Sequence, residues 1–347
     1  MNRIKQLLFF PIVIVSLLSC TEGKTKGKID HKRMNVIFDT DMGNDVDDAL
    51  ALDMLYKYTD QDRINLLGIP TNKRSPYCVE YIDIMNNWYG YPDIPVGIVV
   101  NGSEKDNEDN FVRKVSQMEK DGKPAFERSI KNYETLPTSV SLYRKLLASQ
   151  EDHSVNIISV GFSTNLAQLL DSQGDEFSQL TGKELVARKV KLLSAMMGNF
   201  ENENFSEFNV HCDIPSAQKV IKEWPTPIVV SPFELGEKIL YPGASIENDF
   251  KWKEPNPLAE GYKAYLEMPY DRQTWDLTSV LYVVEKDKGF FNESPSGTIN
   301  IDDKGVTRFT PHEDGKHKYL TINEQQKEDI KNYFIDLITQ RPKKYQD

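Results

Sequence analysis

The chain has 347 residues, with 42 Lys and Arg against 53 Asp and Glu and a formal net charge of −11. So acidic a surface repels phosphate backbones, which argues against nucleic acid as a partner and leaves neutral sugars and nucleosides open. Five His and three Cys, without metal-type spacing, argue against a zinc site.

In chain order, the first element is a leader. Arg3 and Lys5 precede an apolar run, Leu7 to Leu18, that is too short to span a bilayer and has the form of a signal peptide. It ends in Ser19-Cys20, which resembles a bacterial lipobox. Residues 1–19 are therefore expected to be a lipoprotein signal peptide, Cys20 the lipidated residue, and the polar, Lys-rich stretch 20–33 a tether. Several acyl chains on one Cys would hold the protein stably on a membrane of the cell envelope, periplasmic or at the outer-membrane surface. Residues 34–347 suit one large catalytic domain. Cys78 and Cys212 read as two buried thiols rather than a disulfide.

Apolar runs at 35–38, 64–69, 95–100, 155–159, 190–195 and 227–230 read as strands. Apolar residues at three- and four-residue spacing predict helices at about 47–58, 76–89, 138–149, 163–171 and 214–224. The alternation predicts an α/β fold with an open, mostly parallel sheet and helices on both faces. Residues 101–135 are polar and charged and read as an insertion or lid. After Glu237 the chain is Pro-punctuated until a helix near 278–285.

In such a sheet ligands bind beyond the carboxyl ends of the strands. Four polar segments follow strands directly: Asp39 to Asp48, Pro70 to Lys73, Val160 to Asn165, and Met196 to Asn199 with Glu207 and Asn209 beyond. The first holds Asp39, Asp41, Asp45, Asp47 and Asp48. Packed carboxylates raise each other's pKa unless a cation neutralises them, and oxygen-only ligands suit calcium or magnesium. Helix capping accounts for one or two of the five, such as Asp45 and Asp47, but not for Asp39 and Asp41. An EF-hand fails, because Gly43 is fifth from Asp39 and Leu50 twelfth.

Asp39-Thr40-Asp41-Met42-Gly43, followed by Asp47-Asp48-Ala49-Leu50-Ala51, resembles the opening signature of the inosine-uridine nucleoside hydrolases. Three residues, Asn44-Asp45-Val46, stand where the familiar form has one, as in a divergent bacterial branch. Val160 to Asn165, Met197-Gly198, Glu207-Phe208-Asn209, Asp213 and Trp275-Asp276 follow in the family's order, from about Asn35 to Glu285. The resemblance implies a Rossmann-related fold and calcium-dependent hydrolysis of the N-glycosidic bond of ribonucleosides. Asp41 would be metal ligand and general base, activating a water held by the metal. Asp48, the Val160 carbonyl and Asp276 would complete the calcium shell. Asp47, Asn72, Glu207 and Asn209 would bind ribose, with Asn202 or Asn204 as a further ribose ligand. Trp275 stands where the best-known members have a His that protonates the base; it can stack on a base, and the leaving-group acid is left unassigned. The expected partner is a nucleoside or other ribosylated small molecule, and homo-oligomerisation stays open. Two alternatives compete: a haloacid-dehalogenase-like phosphatase, since Asp39-Thr40-Asp41 fits its opening, and a non-catalytic, calcium-stabilised lipoprotein that binds ribosyl ligands.

Overall fold

A computed structural model describes residues 32–102 and 110–346. The expected signal peptide, most of the tether and Cys20 lie outside the described residues. Arg33–Asp347 forms one compact unit.

Its centre is a mostly parallel sheet. The parallel strands are β1 (Met34–Asp39), β2 (Ile64–Pro70), β3 (Val96–Gly97), β4 (Val155–Ser159), β5 (Val190–Met196) and β6 (Ile228–Ser231). Three more follow: β7 (Gly297–Ile301), β8 (Thr307–Pro311) and β9 (His317–Thr321). The spatial order is β8-β7-β9-β6-β5-β4-β1-β2-β3. From β3 to β9 every pairing is parallel, and β7 runs antiparallel to both β8 and β9. The chain winds outward from β1 to β3, then returns to place β4 on β1's other side. That reversal leaves a crevice beyond the carboxyl ends of β1 and β4.

β1 shows why the strands form. Its side chains alternate, so Val36 and Phe38 enter one core and Ile37 the other, all fully buried. The Val36 face is covered by α1 (Asp47–Asp60), α2 (Pro76–Tyr89) and the later helices α8 (Trp275–Val284) and α9 (Glu324–Ile338). The Ile37 face is covered by α3 (Ser139–Ala148), α4 (Thr164–Asp171), α5 (Gly182–Lys189) and α7 (Ile214–Glu223). A short helix, α6 (Phe208–Cys212), precedes α7.

Three expectations need correction. The strand expected at 95–100 shrinks to Val96–Gly97, because Ile98 bridges Thr138 in a separate loop contact. The stretch 101–135 is not all insertion. It contains a helix, Asn110–Ser116, whose Phe111, Val112 and Val115 join the core against α2 and the helix Pro257–Tyr265. Its apolar residues are too few to show a period amid the surrounding charge. The C-terminal strands and α9 had no counterpart in the expected elements. Cys78 and Cys212 are both buried thiols. Among the described residues, no helix is long and apolar enough to cross a membrane.

Candidate active site

The crevice holds a cavity of about 270 Å³, suited to a compact ligand. Its carboxylates arrive on two elements. After β1 the chain turns through Gly43 at φ +118°, where a Cβ would meet Val112 at 2.8 Å, so only Gly fits. α1 then begins without a side-chain cap, its N-cap position held by Val46. Asp47 and Asp48 occupy its first turn and line the cavity, as do Asp41, Asn44 and Asp45. Asp276 comes from the first turn of α8, and its backbone N–H donates to Asp47 Oδ2 at 3.0 Å. Asp47 therefore caps α8 rather than its own helix.

Oxygens of Asp47, Asp48 and Asp276 all lie within 4.8 Å of one another, and all three residues are buried. Burial first, then repulsion from neighbouring carboxylates (chiefly Asp45 at Asp47, Asp41 at Asp48 and Asp47 at Asp276), pushes all three carboxyls well above the usual range. The Thr40 hydroxyl donates to Asp48, and Asn44 Nδ2 donates to Asp41 Oδ2 at 2.6 Å. Arg272 pairs directly with Asp45, Nε donating to Oδ1 at 2.8 Å, and its charge also reaches Asp47. The other cavity carboxylates therefore form a dense set of hard oxygen donors, which fits calcium or magnesium. Asp41 is not in the tight triplet. It lines the cavity beside it, under Gly161, where a Cβ would sit 2.6 Å from Asp41 Oδ1.

Val160, at the end of β4, also lines the cavity, and its carbonyl accepts from Asn209 Nδ2 at 3.0 Å. Asn209 Nδ2 further reaches the Met196 carbonyl at 3.1 Å. Glu207 caps α6, taking N–H bonds from Asn209 at 2.8 Å and Gly198 at 3.0 Å. Burial raises its carboxyl to about 7, against the opposing pull of those backbone donors. Glu207 and Asn209 are thus brought to one wall beside Val160.

Asn72 is placed differently. It does not line the cavity; its Nδ2 donates to Asp39 and its Oδ1 accepts from Phe162 N at 3.1 Å. Both ends of the amide tie the β1 edge to the loop after β4. Asp39 likewise lies behind the cavity, held by Asn72, Tyr143 and Asn165, with burial lifting its carboxyl to about 6. Neither Asn202 nor Asn204 lines the cavity.

Four aromatic residues also line the cavity: Phe208, Phe233, Tyr265 and Trp275. Trp275 packs on Phe233 with ring centroids 5.4 Å apart, lies 5.2 Å from the Arg272 guanidinium, and donates Nε1–H to the Phe233 carbonyl at 3.0 Å. Sequence reasoning missed Asn44, Asp45, Phe208, Phe233 and Tyr265 as cavity residues. For Asn44, Asp45 and Phe208 a signal existed, since they sit inside the quoted motifs. Phe233 and Tyr265 had none, because tertiary folding alone brings them in.

Residues 36–330 match the family model described as inosine-uridine preferring nucleoside hydrolase. The chain belongs to that family. It is an N-glycosyl hydrolase, which sets the phosphatase reading aside. Among solved structures it is similar to a plant nucleoside hydrolase, at 18% identity and TM-score 0.68, covering 89% of this chain and 99% of that one. It is also similar to a purine-preferring ribonucleoside hydrolase from Gardnerella vaginalis, at 16% identity and TM-score 0.68, with 88% and 98% covered. A third is the inosine-uridine preferring nucleoside hydrolase from Bacillus anthracis, at 17% identity and TM-score 0.65, with 88% and 99% covered. No curated protein matches the sequence.

Proposed function

We propose that this family member is a calcium-dependent ribonucleoside hydrolase acting outside the cytoplasm. The observation that supports the reading is one cavity in which the carboxylate cluster, the Glu207–Asn209 wall and an aromatic wall meet. N-glycoside cleavage passes through an oxocarbenium-like state and needs a water, a held sugar and a supported base. Asp41, Asp48, Asp276 and the Val160 carbonyl are the candidate calcium ligands, with Asp47 adjoining them. Bound calcium would supply a Lewis-acidic centre for hydroxyl oxygens. Asp41, which lines the cavity and is held by Asn44, would take the proton of the attacking water. Asp47, Glu207 and Asn209 would engage ribose hydroxyls. The aromatic wall would lie against the base.

The test is ribose release from inosine, uridine and a nitrophenyl riboside, with calcium and with a chelator. Activity lost on chelation and restored by calcium is the expected result. Asp41→Asn should lower kcat by about two orders of magnitude or more, the scale of a lost general base. Release unaffected by chelation, or Asp41→Asn at the parent rate, would refute the reading. Thermal stabilisation by a nucleoside with no product would instead favour a binding protein.

A further inference from the structure

We propose that Lys73 is a positioning residue for Asp41, acting through the side-chain amide of Asn44. This rests on the nucleoside hydrolase reading above, in which Asp41 takes the proton of the attacking water. In that reaction the water oxygen bonds to C1′, the C1′–N electron pair leaves with the base, and the base takes up a proton from solvent. The water must meet Asp41 in one orientation, so whatever sets the plane of that carboxylate sets the rate of the step.

Asn44 Nδ2 donates to Asp41 Oδ2 at 2.6 Å, and Lys73 Nζ donates to Asn44 Oδ1. Chemistry fixes the direction of this chain. An ammonium only donates, so it selects the oxygen of the amide and turns the NH2 end to the ionised carboxylate, which only accepts. Without the cation, nothing in that pair of bonds stops the amide from rotating and presenting its oxygen to Asp41. Lys73 is itself held in place. It is 1% exposed, and its carbonyl accepts from the N–H of Ser75, the N-cap of α2, at 3.1 Å. The loops after β1 and β2 run side by side, since Thr40 bridges Thr71 in parallel and Asn72 N donates to the Thr40 carbonyl at 2.9 Å. That pairing brings Lys73 to Asn44.

The arrangement lies in the segment where this chain departs from the family's opening signature. Of Asn44-Asp45-Val46, Asn44 meets Lys73 and Asp45 meets Arg272, so each polar residue pairs with one cation. Val46 is buried and holds the N-cap position of α1. Lys73 does not line the cavity, so it acts through Asn44, which does. A part that merely braced the turn would need only some partner for Asn44. The relay needs the amide held with its donor end toward Asp41.

The experiment measures kcat and KM in saturating calcium for inosine or uridine, whichever the parent cleaves faster, and for 4-nitrophenyl riboside. Both substrates share the water-activating step. Asn44→Ala should therefore lower kcat about tenfold on each, the scale of a hydrogen bond to a charged group, with KM held within about twofold. Lys73→Met should lower kcat in the same way, and the double variant should lose little more than Asn44→Ala alone. Lys73→Gln, which offers Asn44 both a donor and an acceptor, carries the same expectation if Lys73→Met fails to fold. In an Asp41→Asn background, Asn44→Ala should leave the residual rate unchanged, which damage to the fold would not do. Parent kcat in Asn44→Ala or in a folded Lys73 variant, whatever its melting temperature, would overturn the proposal. So would a loss confined to one substrate, additive losses in the double variant, or a further drop in the Asp41→Asn background. A parent that releases ribose from neither substrate, or an Asp41→Asn variant at the parent rate, refutes the underlying reading instead.

Discussion

Asp48→Asn should change stability in opposite directions with and without calcium. Asp47, Asp48 and Asp276 place buried oxygens within 4.8 Å of one another. At that distance two unit charges repel by about 3.5 kcal/mol at an effective dielectric of 20, a figure that proton uptake caps. Asn keeps an oxygen to accept the Thr40 hydroxyl, so the substitution removes charge while leaving that bond. In a chelator, relief of repulsion should stabilise the variant by about 2–3 kcal/mol, or about 5 °C in Tm. In calcium at a thousandfold over Kd the parent gains about 4.1 kcal/mol by linkage, which exceeds that relief and which the variant forfeits together with the metal. The two melting curves should therefore exchange order between the buffers. A variant less stable than the parent in both would mean that the carboxylates are not a cation site.

Glu207 supplies a pH test. Its folded carboxyl titrates near 7 against an ordinary 4.5. Between those values the folded state holds a proton that the unfolded chain has lost, so stability should fall as pH rises, by up to about 3 kcal/mol. Glu207→Gln should flatten the drop in Tm between pH 5 and 8; an unchanged drop would assign it to other groups. His317 runs the other way: burial, then His312 and Lys316, lower its pKa, and its Nδ1 accepts from Ile299 N at 2.9 Å. The unfolded chain takes up the proton first, so stability should be lost as pH falls below about 6.5. His317→Gln should remove part of that loss, and equal acid sensitivity would refute the account. Cys20→Ala should release the protein from the membrane fraction or block its maturation. Wild-type protein found in the cytosol with residues 1–19 intact would refute the anchor.

The carboxylate end of the site was legible because each parallel strand delivers its own loop to the same sheet edge. Asp41 follows β1 and Val160 follows β4, so strand periodicity locates both. Glu207 and Asn209 follow β5 at a short remove. The strands themselves were legible because burial on both faces makes each a continuous apolar run, as in Val155–Ser159 and Ile228–Ser231. β3 failed by the same rule, for an apolar stretch is needed there by packing but only two residues pair. Asn72 shows a further limit of reading by spacing. A polar residue at the edge can face the ligand or brace the loops that do, and spacing cannot separate the two. Here a buried Asp39 beside it claims the amide.

The aromatic part of the cavity was illegible on physical grounds that also bear on how such enzymes diverge. Tyr265 ends a helix from a Pro-punctuated stretch, Arg272 lies in a two-residue strand, and Phe233 opens a short helix after β6. None belongs to a strand-to-loop edge with a readable period; each is aimed by long-range packing. The metal end admits little change, because losing one carboxylate leaves the rest of a buried charge cluster mismatched. The aromatic wall carries no such constraint. One ring can replace another at modest cost, and an inserted Asp45 can recruit Arg272 without touching the triplet. Divergence in this chain should therefore concentrate where the base sits. Substitutions at Tyr265, Phe208 or Phe233 should shift which base is cleaved, whereas those at Asp48 or Asp276 should abolish cleavage of every base alike. A panel of nucleosides assayed across both sets checks this, and a base-selective Asp276→Asn variant would refute it.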